Sequence, residues 1–171
     1  MSNLPHIYVD MDGVLCDFKT LGEKVLHMKM SDWTNEPGHK FKTDKEKWQP
    51  ILDYPNFWQK LPMMPGAMQL WNFVKPYNPS ILSAYVEHVY DPQCIPGKRA
   101  WIHNHLGLPD SRINLVMRKQ KQNFAMYHGE RAILIDDYIK NVSQFSAKGG
   151  IGILHTSAAN TINQLKKLGF K

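Results

Sequence analysis

Two aspartates stand two residues apart in His6-Ile-Tyr-Val-Asp10-Met-Asp12-Gly-Val-Leu, directly after a short apolar run. Carboxylates at that spacing, where a chain leaves a sheet, can share one hard cation. Mg²⁺ is usually held by one or two carboxylates together with substrate phosphate oxygens. Asp-x-Asp-Gly alone also reads as a turn or as part of a calcium loop. The EF-hand version fails, because no further loop oxygens and no closing Glu follow at the required spacing. Three other apolar runs end in the same manner. Ile81-Leu-Ser83 ends in a hydroxyl, residues 113–117 lead into Arg118-Lys119-Gln-Lys121, and Ile133-Leu-Ile-Asp136-Asp137 ends in two more acids. Each has a structural reading by itself: a turn former, a solvated helix start, a helix N-cap pair. Together, in chain order, they suit one phosphate and one metal ion. Adjacent residues at a strand end point to opposite sides, so one member of the acid pair is expected to ligate directly.

The elements that must hold these groups follow from hydropathy. Five short apolar runs, residues 6–9, 80–83, 113–117, 132–135 and 151–154, have the length of buried strands. Their unbroken apolarity predicts a parallel sheet covered on both faces. Helical spacing appears over 66–74, over 98–106 with Gly107 and Pro109 as stops, and over 157–168 with Gly169 after it. Alternating strand and helix predicts an α/β fold with right-handed crossovers. Ligands in such folds bind at the carboxyl ends of strands, where the polar groups fall. Residues 16–64 interrupt the alternation. They contain Trp33, Trp48 and Trp58, a helix-like run over 21–30 and a charged stretch over 40–47. They read as a small, mostly helical cap inserted after the first strand, leaving 1–15 and 65–171 as the core.

A chain of 171 residues, 43% hydrophobic and 21% charged, can bury a substantial core, which excludes a disordered or fibrous protein. No run is long and apolar enough for a membrane span, and none resembles a signal peptide. Cys16 and Cys94 make no disulfide framework, so they are expected to be reduced thiols in a cytoplasmic protein. The net charge of +6 favours anionic partners. The cations are scattered, however, and no stable nucleic-acid partner is expected.

Asp10-Met-Asp12-Gly-Val, Ser83, Lys121 and Asp136-Asp137 resemble the four motifs of the haloacid dehalogenase-like phosphohydrolases. The likeness spans the whole chain and implies a Rossmann-like three-layer core. More narrowly, Asp10-Met-Asp-Gly-Val-Leu-Cys-Asp-Phe18, Asn56-Phe-Trp58 leading to Leu61-Pro and Pro65-Gly-Ala, and Leu134-Ile-Asp-Asp137 resemble the 5'(3')-deoxyribonucleotidases. The resemblance implies a Mg²⁺-dependent enzyme in which Asp10 attacks phosphorus and forms an aspartyl-phosphate. Asp12 would offer its backbone carbonyl to the metal. Its side chain would protonate the leaving oxygen and then deprotonate water. Ser83 and Lys121 would hold the phosphoryl oxygens, with Lys119 as the alternate lysine. Asp137 would ligate the metal, while Asp136 would orient a water or Lys121. Phe18 matches a base-stacking position, with Phe57 and Trp58 as candidates for the opposite wall. This chain departs from the mammalian-type pattern at Ala84, where those enzymes tend to carry a second hydroxyl. The implied substrate is a small-molecule nucleotide. Other outcomes left open are another phosphate ester or a polynucleotide 3'-phosphate, a non-catalytic nucleotide-binding protein on the same fold, and a homodimer.

Overall fold

The computed structural model describes residues 3–35 and 43–171. In chain order, β1 (Ile7–Val9) precedes α1 (Phe18–Leu26), α2 (Met30–Asn35), α3 (Asp44–Asp53) and α4 (Ala67–Val74). Next come β2 (Ser80–Ala84), α5 (Cys94–Leu106) and β3 (Ile113–Val116), then the paired strands β4 (Met126–Tyr127) and β5 (Glu130–Arg131). The chain finishes with β6 (Ile133–Asp136), α6 (Ile139–Ala147), β7 (Ile151–Leu154) and α7 (Ala158–Lys167).

The chain divides into two compact units. The first, Met1–Cys16, Met63–Ala84 and Ser111–Lys171, contains an all-parallel sheet in the order β3-β2-β1-β6-β7. The five apolar runs are its five strands. Central strands β1 and β6 are buried along their whole length, whereas edge strands β3 and β7 are partly open. That gradient explains why the middle runs are the most uniformly apolar. Tyr8, Leu82 and Leu134 meet Ala125, Ala132 and Phe145 in one apolar cluster. Strand order reverses at β1: the chain moves outward through β2 and β3, then returns on the other side as β6. The crevice between β1 and β6 is therefore the switch point where an open α/β sheet binds its ligand.

Helix α6 had no counterpart in the sequence analysis. It packs on β6 and β7 through Val142 and Phe145. The approach is so close that a Cβ on Gly152 would stand 2.6 Å from Val142 Cγ1. The β4–β5 hairpin was also unforeseen. It turns through His128 and Gly129, both at positive φ, which suits a two-residue hairpin loop. At the amino end of the sheet, the His6 ring stacks on Tyr127 at 3.9 Å and its Nε2 meets Ser80 Oγ at 2.9 Å. A cavity of about 460 Å³ opens there beside His6, Tyr77, Tyr127 and Phe170.

The second unit joins Asp17–Pro62 to Tyr85–Asp110, a segment that the sequence analysis had assigned to the core. Its first part is helical. The run expected over 21–30 is divided in two, because His27 takes a left-handed conformation and ends α1 before α2 begins. Thr43 caps α3 by accepting from the Glu46 amide, and residues 40–42 of the charged stretch lie outside the described residues. Helix α5 begins at Cys94, four residues before the predicted start. The tie between the two segments is polar and buried. Trp58 Nε1 donates to Asp91 Oδ2 at 2.7 Å, and the Lys98 ammonium lies 5.1 Å from the Trp58 ring. Trp101 Nε1 donates to the Leu61 carbonyl at 2.8 Å. Cys16 and Cys94 form no disulfide, and both are buried.

Candidate active site

Asp10 is the first residue beyond β1, and its amide still donates to the Ile135 carbonyl at 3.0 Å. The β1–β6 register pairs Val9 with Ile135, so Asp10 and Asp136 stand side by side at the switch point. Both are removed from water, with Asp10 5% exposed and Asp136 fully buried. The chain then turns sharply. The amides of Val14, Leu15 and Cys16 all donate to the Met11 carbonyl, and the Gly13 amide donates back to the Cys16 carbonyl. Gly13 has φ +83°, and a Cβ there would collide with the Asp137 carboxylate. Glycine thus allows the turn and lets Asp137 lie directly on the loop. Asp12 sits within this turn, bridged to Cys16.

Lys121 is supplied by a 3₁₀ stretch, Arg118–Phe124, rather than by the α-helix start that its neighbours suggested. Its Nζ donates to Asp10 Oδ1 at 2.9 Å and to Asp136 Oδ2 at 2.8 Å. Only 3% of its side chain is exposed, whereas Lys119 is exposed. Between the two lysines raised by the sequence, the fold brings Lys121 to the carboxylates. Asp136 is also held by the Tyr138 amide at Oδ1 and by Asn141 Nδ2 at Oδ2.

Burial pushes the Asp10 carboxyl up to about 8, against the opposing pull of Lys121 and with the support of Asp136 and Asp12. The Lys121 ammonium is held above its ordinary value. Burial disfavours its charge, but Asp10 and Asp136 outweigh that penalty. Asp137 is pushed up to about 6, first by loss of water around its carboxylate and then by Asp136. The residue as a whole is exposed, with its carboxylate lying against Gly13. Two carboxyl groups thus share one ammonium and a third stands beside them, a concentration of acids in a desolvated place. Oxygens of Asp10, Asp136 and Asp137 lie within 4.8 Å of one another. All are hard donors of the kind that Mg²⁺ takes. Residues and charge therefore fit a divalent cation. Asp137 is the freer of the acid pair to ligate, since Asp136 is committed to Lys121, Asn141 and the Tyr138 amide.

Ser83 is buried near the end of β2, and its Oγ lies 3.4 Å from the Ala84 carbonyl, to which it donates. Ile81 pairs with Val9, so Ser83 falls at the same end of the sheet as Asp10. Phe18, Phe57 and Trp58 come together in the second unit. Phe18 stacks on Trp58 at 5.5 Å and meets Phe57 edge-on at 5.7 Å. Phe57 and Trp58 are 1% and 2% exposed, so their rings are packing residues of that unit. Phe18 alone of the three is partly open.

Asn141 escaped sequence reasoning, and Arg118 was read only as part of a basic stretch. Asn141 and Arg118 are hydrogen-bonded at 3.1 Å, and Arg118 also reaches Gln144 at 3.2 Å. Apolar residues Ile139, Val142 and Phe145 at three-residue spacing would have revealed α6 and set Asn141 in its first turn.

The fold is widely shared. An L-2-haloacid dehalogenase from Xanthobacter autotrophicus superposes with a TM-score of 0.56 at 12% identity, covering 96% of this chain and 83% of the other. A HAD-superfamily hydrolase, subfamily IA, variant 1, from Geobacter sulfurreducens gives 0.56 at 12% identity, with 95% and 96% covered. A HAD family hydrolase from Deinococcus radiodurans, crystallised with bound phosphate and sodium, gives 0.53 at 14% identity, with 99% and 90% covered. No curated protein sequence matches significantly. The family model described as "5' nucleotidase, deoxy (Pyrimidine), cytosolic type C protein" matches residues 4–166, which takes in every motif at the strand ends. By that match the chain belongs to this nucleotidase family, and it is a phosphoric monoester hydrolase on a haloacid dehalogenase-like fold.

Proposed function

We propose that the chain is a Mg²⁺-dependent phosphatase of deoxyribonucleoside 5'- and 3'-monophosphates that works through an aspartyl-phosphate on Asp10. The observation that carries this reading is the buried Asp10 carboxylate, hydrogen-bonded by Lys121 at the switch point of the sheet. Asp10, Asp137 and the Asp12 carbonyl would hold the cation, which when bound neutralises phosphoryl oxygens and keeps Asp10 ionised. Asp10 forms a bond to phosphorus as the bond from phosphorus to the nucleoside oxygen breaks. Asp12 gives its proton to that leaving oxygen. It then takes a proton from a water, which attacks phosphorus, releases inorganic phosphate and regenerates the Asp10 carboxylate. Lys121 and Ser83 bind the phosphoryl oxygens, and the ammonium offsets charge as the transition state forms. Phe18, the ring with exposure to spare, is assigned to the base.

The test is a hydrolysis panel of 5'- and 3'-monophosphates of ribo- and deoxyribonucleosides, run with Mg²⁺ or with EDTA. A 3'-phosphorylated oligonucleotide and p-nitrophenyl phosphate complete the panel. Turnover of the deoxyribonucleotides with Mg²⁺ above all others is expected. Preference for the oligonucleotide, or equal rates with EDTA, would overturn the reading. Phe18→Ala should lower kcat/KM for nucleotides by roughly 5- to 150-fold, the worth of about 1–3 kcal/mol for one stacked base. It should leave p-nitrophenyl phosphate little changed, and equal losses on both substrates would remove Phe18 from base recognition.

A further inference from the structure

Asn141 touches no group assigned to chemistry except Asp136, yet its amide is oriented by necessity. Its Nδ2 donates to Asp136 Oδ2 at 3.1 Å, and its Oδ1 accepts from Arg118 Nη1 at 3.1 Å. A guanidinium can only donate, and a carboxylate beside an ammonium can only accept, so the amide fits one way round. Asp136 Oδ2 in turn takes the Lys121 ammonium at 2.8 Å. Arg118 and Lys121 are three residues apart in one 3₁₀ stretch, a spacing that sets both side chains on the same side of it. Three hydrogen bonds and the backbone therefore close a ring of four residues: Arg118 donates to Asn141, Asn141 and Lys121 both donate to Asp136, and the chain joins Lys121 back to Arg118. The second Arg118 contact, to Gln144 one turn further along α6, braces the ring. Asn141 is 6% exposed and Lys121 2%, so water is a poor substitute for either partner.

The consequence lies at the lysine. Two of its three N–H donors are committed to Asp10 and Asp136, and the third is the one left for a phosphoryl oxygen. Its direction depends on where the Asp136 carboxylate is held. We infer that Asn141 is a positioning residue for Lys121, acting through Asp136, and that Arg118 fixes the Asn141 amide for this task. The inference rests on the phosphatase reading of the site. It adds a determinant of rate that touches neither substrate nor metal ligand.

A double-mutant cycle tests it, with p-nitrophenyl phosphate and Mg²⁺ as the probe. Asn141→Leu keeps the number and branching of heavy atoms and removes both hydrogen bonds. It should lower kcat by about 10- to 100-fold, the usual cost of losing a partner that orients a site residue, and leave KM within about threefold. In a Lys121→Met background the same substitution should cost less than about threefold, because the group it positions is gone. Arg118→Met breaks the ring at its other link and should lower kcat in the same sense by a smaller factor. Melting temperatures of all variants separate loss of fold from loss of rate. Equal kcat losses from Asn141→Leu in both backgrounds, or a loss under threefold in the wild type, would overturn the inference and leave the site reading intact. Wild-type turnover by Lys121→Met would overturn the site reading itself, and the inference with it.

Discussion

At the carboxyl ends of β1 and β6, Asp10, Asp136 and Lys121 meet almost out of contact with water. At the amino ends of β1 and β2, His6 and Ser80 meet as neutral groups beside an open cavity. The His6 imidazole is lowered to about 4 by burial, then by Arg112 and His128, so at neutral pH it carries no charge. Arg112 Nη2 donates to the Pro79 carbonyl. One sheet therefore ends in two kinds of polar cluster. The amino end removes its charge and costs little to fold. The carboxyl end keeps two carboxyl groups around one ammonium, although burying ions costs several kcal/mol each before pairing repays it. Folding alone gives no reason for such an arrangement; the proposed holding of a cation and a phosphoryl group would.

The largest expected effect is at the carboxyl end. Asp10→Asn keeps shape and volume but removes the attacking charge, and should reduce turnover by at least about a thousandfold with the circular dichroism unchanged. Turnover within tenfold of wild type would dissolve the functional contrast between the two ends.

Next comes the acid pair. Asp137→Asn should raise the Mg²⁺ concentration for half-maximal activity by on the order of tenfold, because a hard cation loses a charged oxygen. Asp136→Asn should move that concentration less and lower kcat through Lys121. A Mg²⁺ titration giving the reverse ranking would exchange their roles.

Stability against pH should carry opposite signs at the two ends. Asp10 and Asp137 bind their protons more tightly folded than unfolded, so their contributions are complete below about pH 4. They are lost as pH rises, through about 6 for Asp137 and about 8 for Asp10. His6 binds its proton less tightly when folded, so its contribution is present above the ordinary imidazole value of 6.5 and lost as pH falls toward about 4. Below pH 6.5 the two ends oppose each other, and above it the carboxyl end acts alone. Without metal, stability in urea should therefore fall from pH 6.5 to 8, by at most about 1.4 kcal/mol per pH unit for one proton. Asp10→Asn should flatten that fall, and His6→Asn should leave it in place. A fall that survives Asp10→Asn would refute the assignment.

The smallest effect is at the amino end. Ser80→Ala removes the hydrogen bond to His6 and should cost about 0.5–1.5 kcal/mol of stability with kcat unchanged. A loss of activity there would show that the two ends are coupled.

How far the sequence alone reaches follows the same contrast. Asp10, Asp12, Ser83 and Asp136-Asp137 were legible because each ends an apolar run, and the sheet sets strand ends together. Lys121 was legible in type but ambiguous in number. Its choice over Lys119 depends on the pitch of a 3₁₀ stretch, which leaves no apolar period to read. Asn141 was hidden because its helix was unread. Its polarity also suggests an exposed face, while the fold turns it onto a buried carboxylate. Phe57 and Trp58 were visible as rings but not as buried ones, since aromatic type does not separate a binding wall from a packed cluster. That Tyr85–Asp110 groups with Asp17–Pro62 was not legible, because its tie to residues 58 and 61 runs through long-range indole hydrogen bonds, to Asp91 and from Trp101.

The central claim is that Asp10 carries the phosphoryl group during turnover, and an acid quench tests it most directly. Enzyme mixed with Mg²⁺ and a ³²P-labelled deoxyribonucleoside 5'-monophosphate should yield a hydroxylamine-labile label on the peptide containing Asp10. The Asp10→Asn variant should give none. Steady turnover with no label at any quench time, together with inversion of configuration at phosphorus in place of the retention that two successive displacements give, would contradict it.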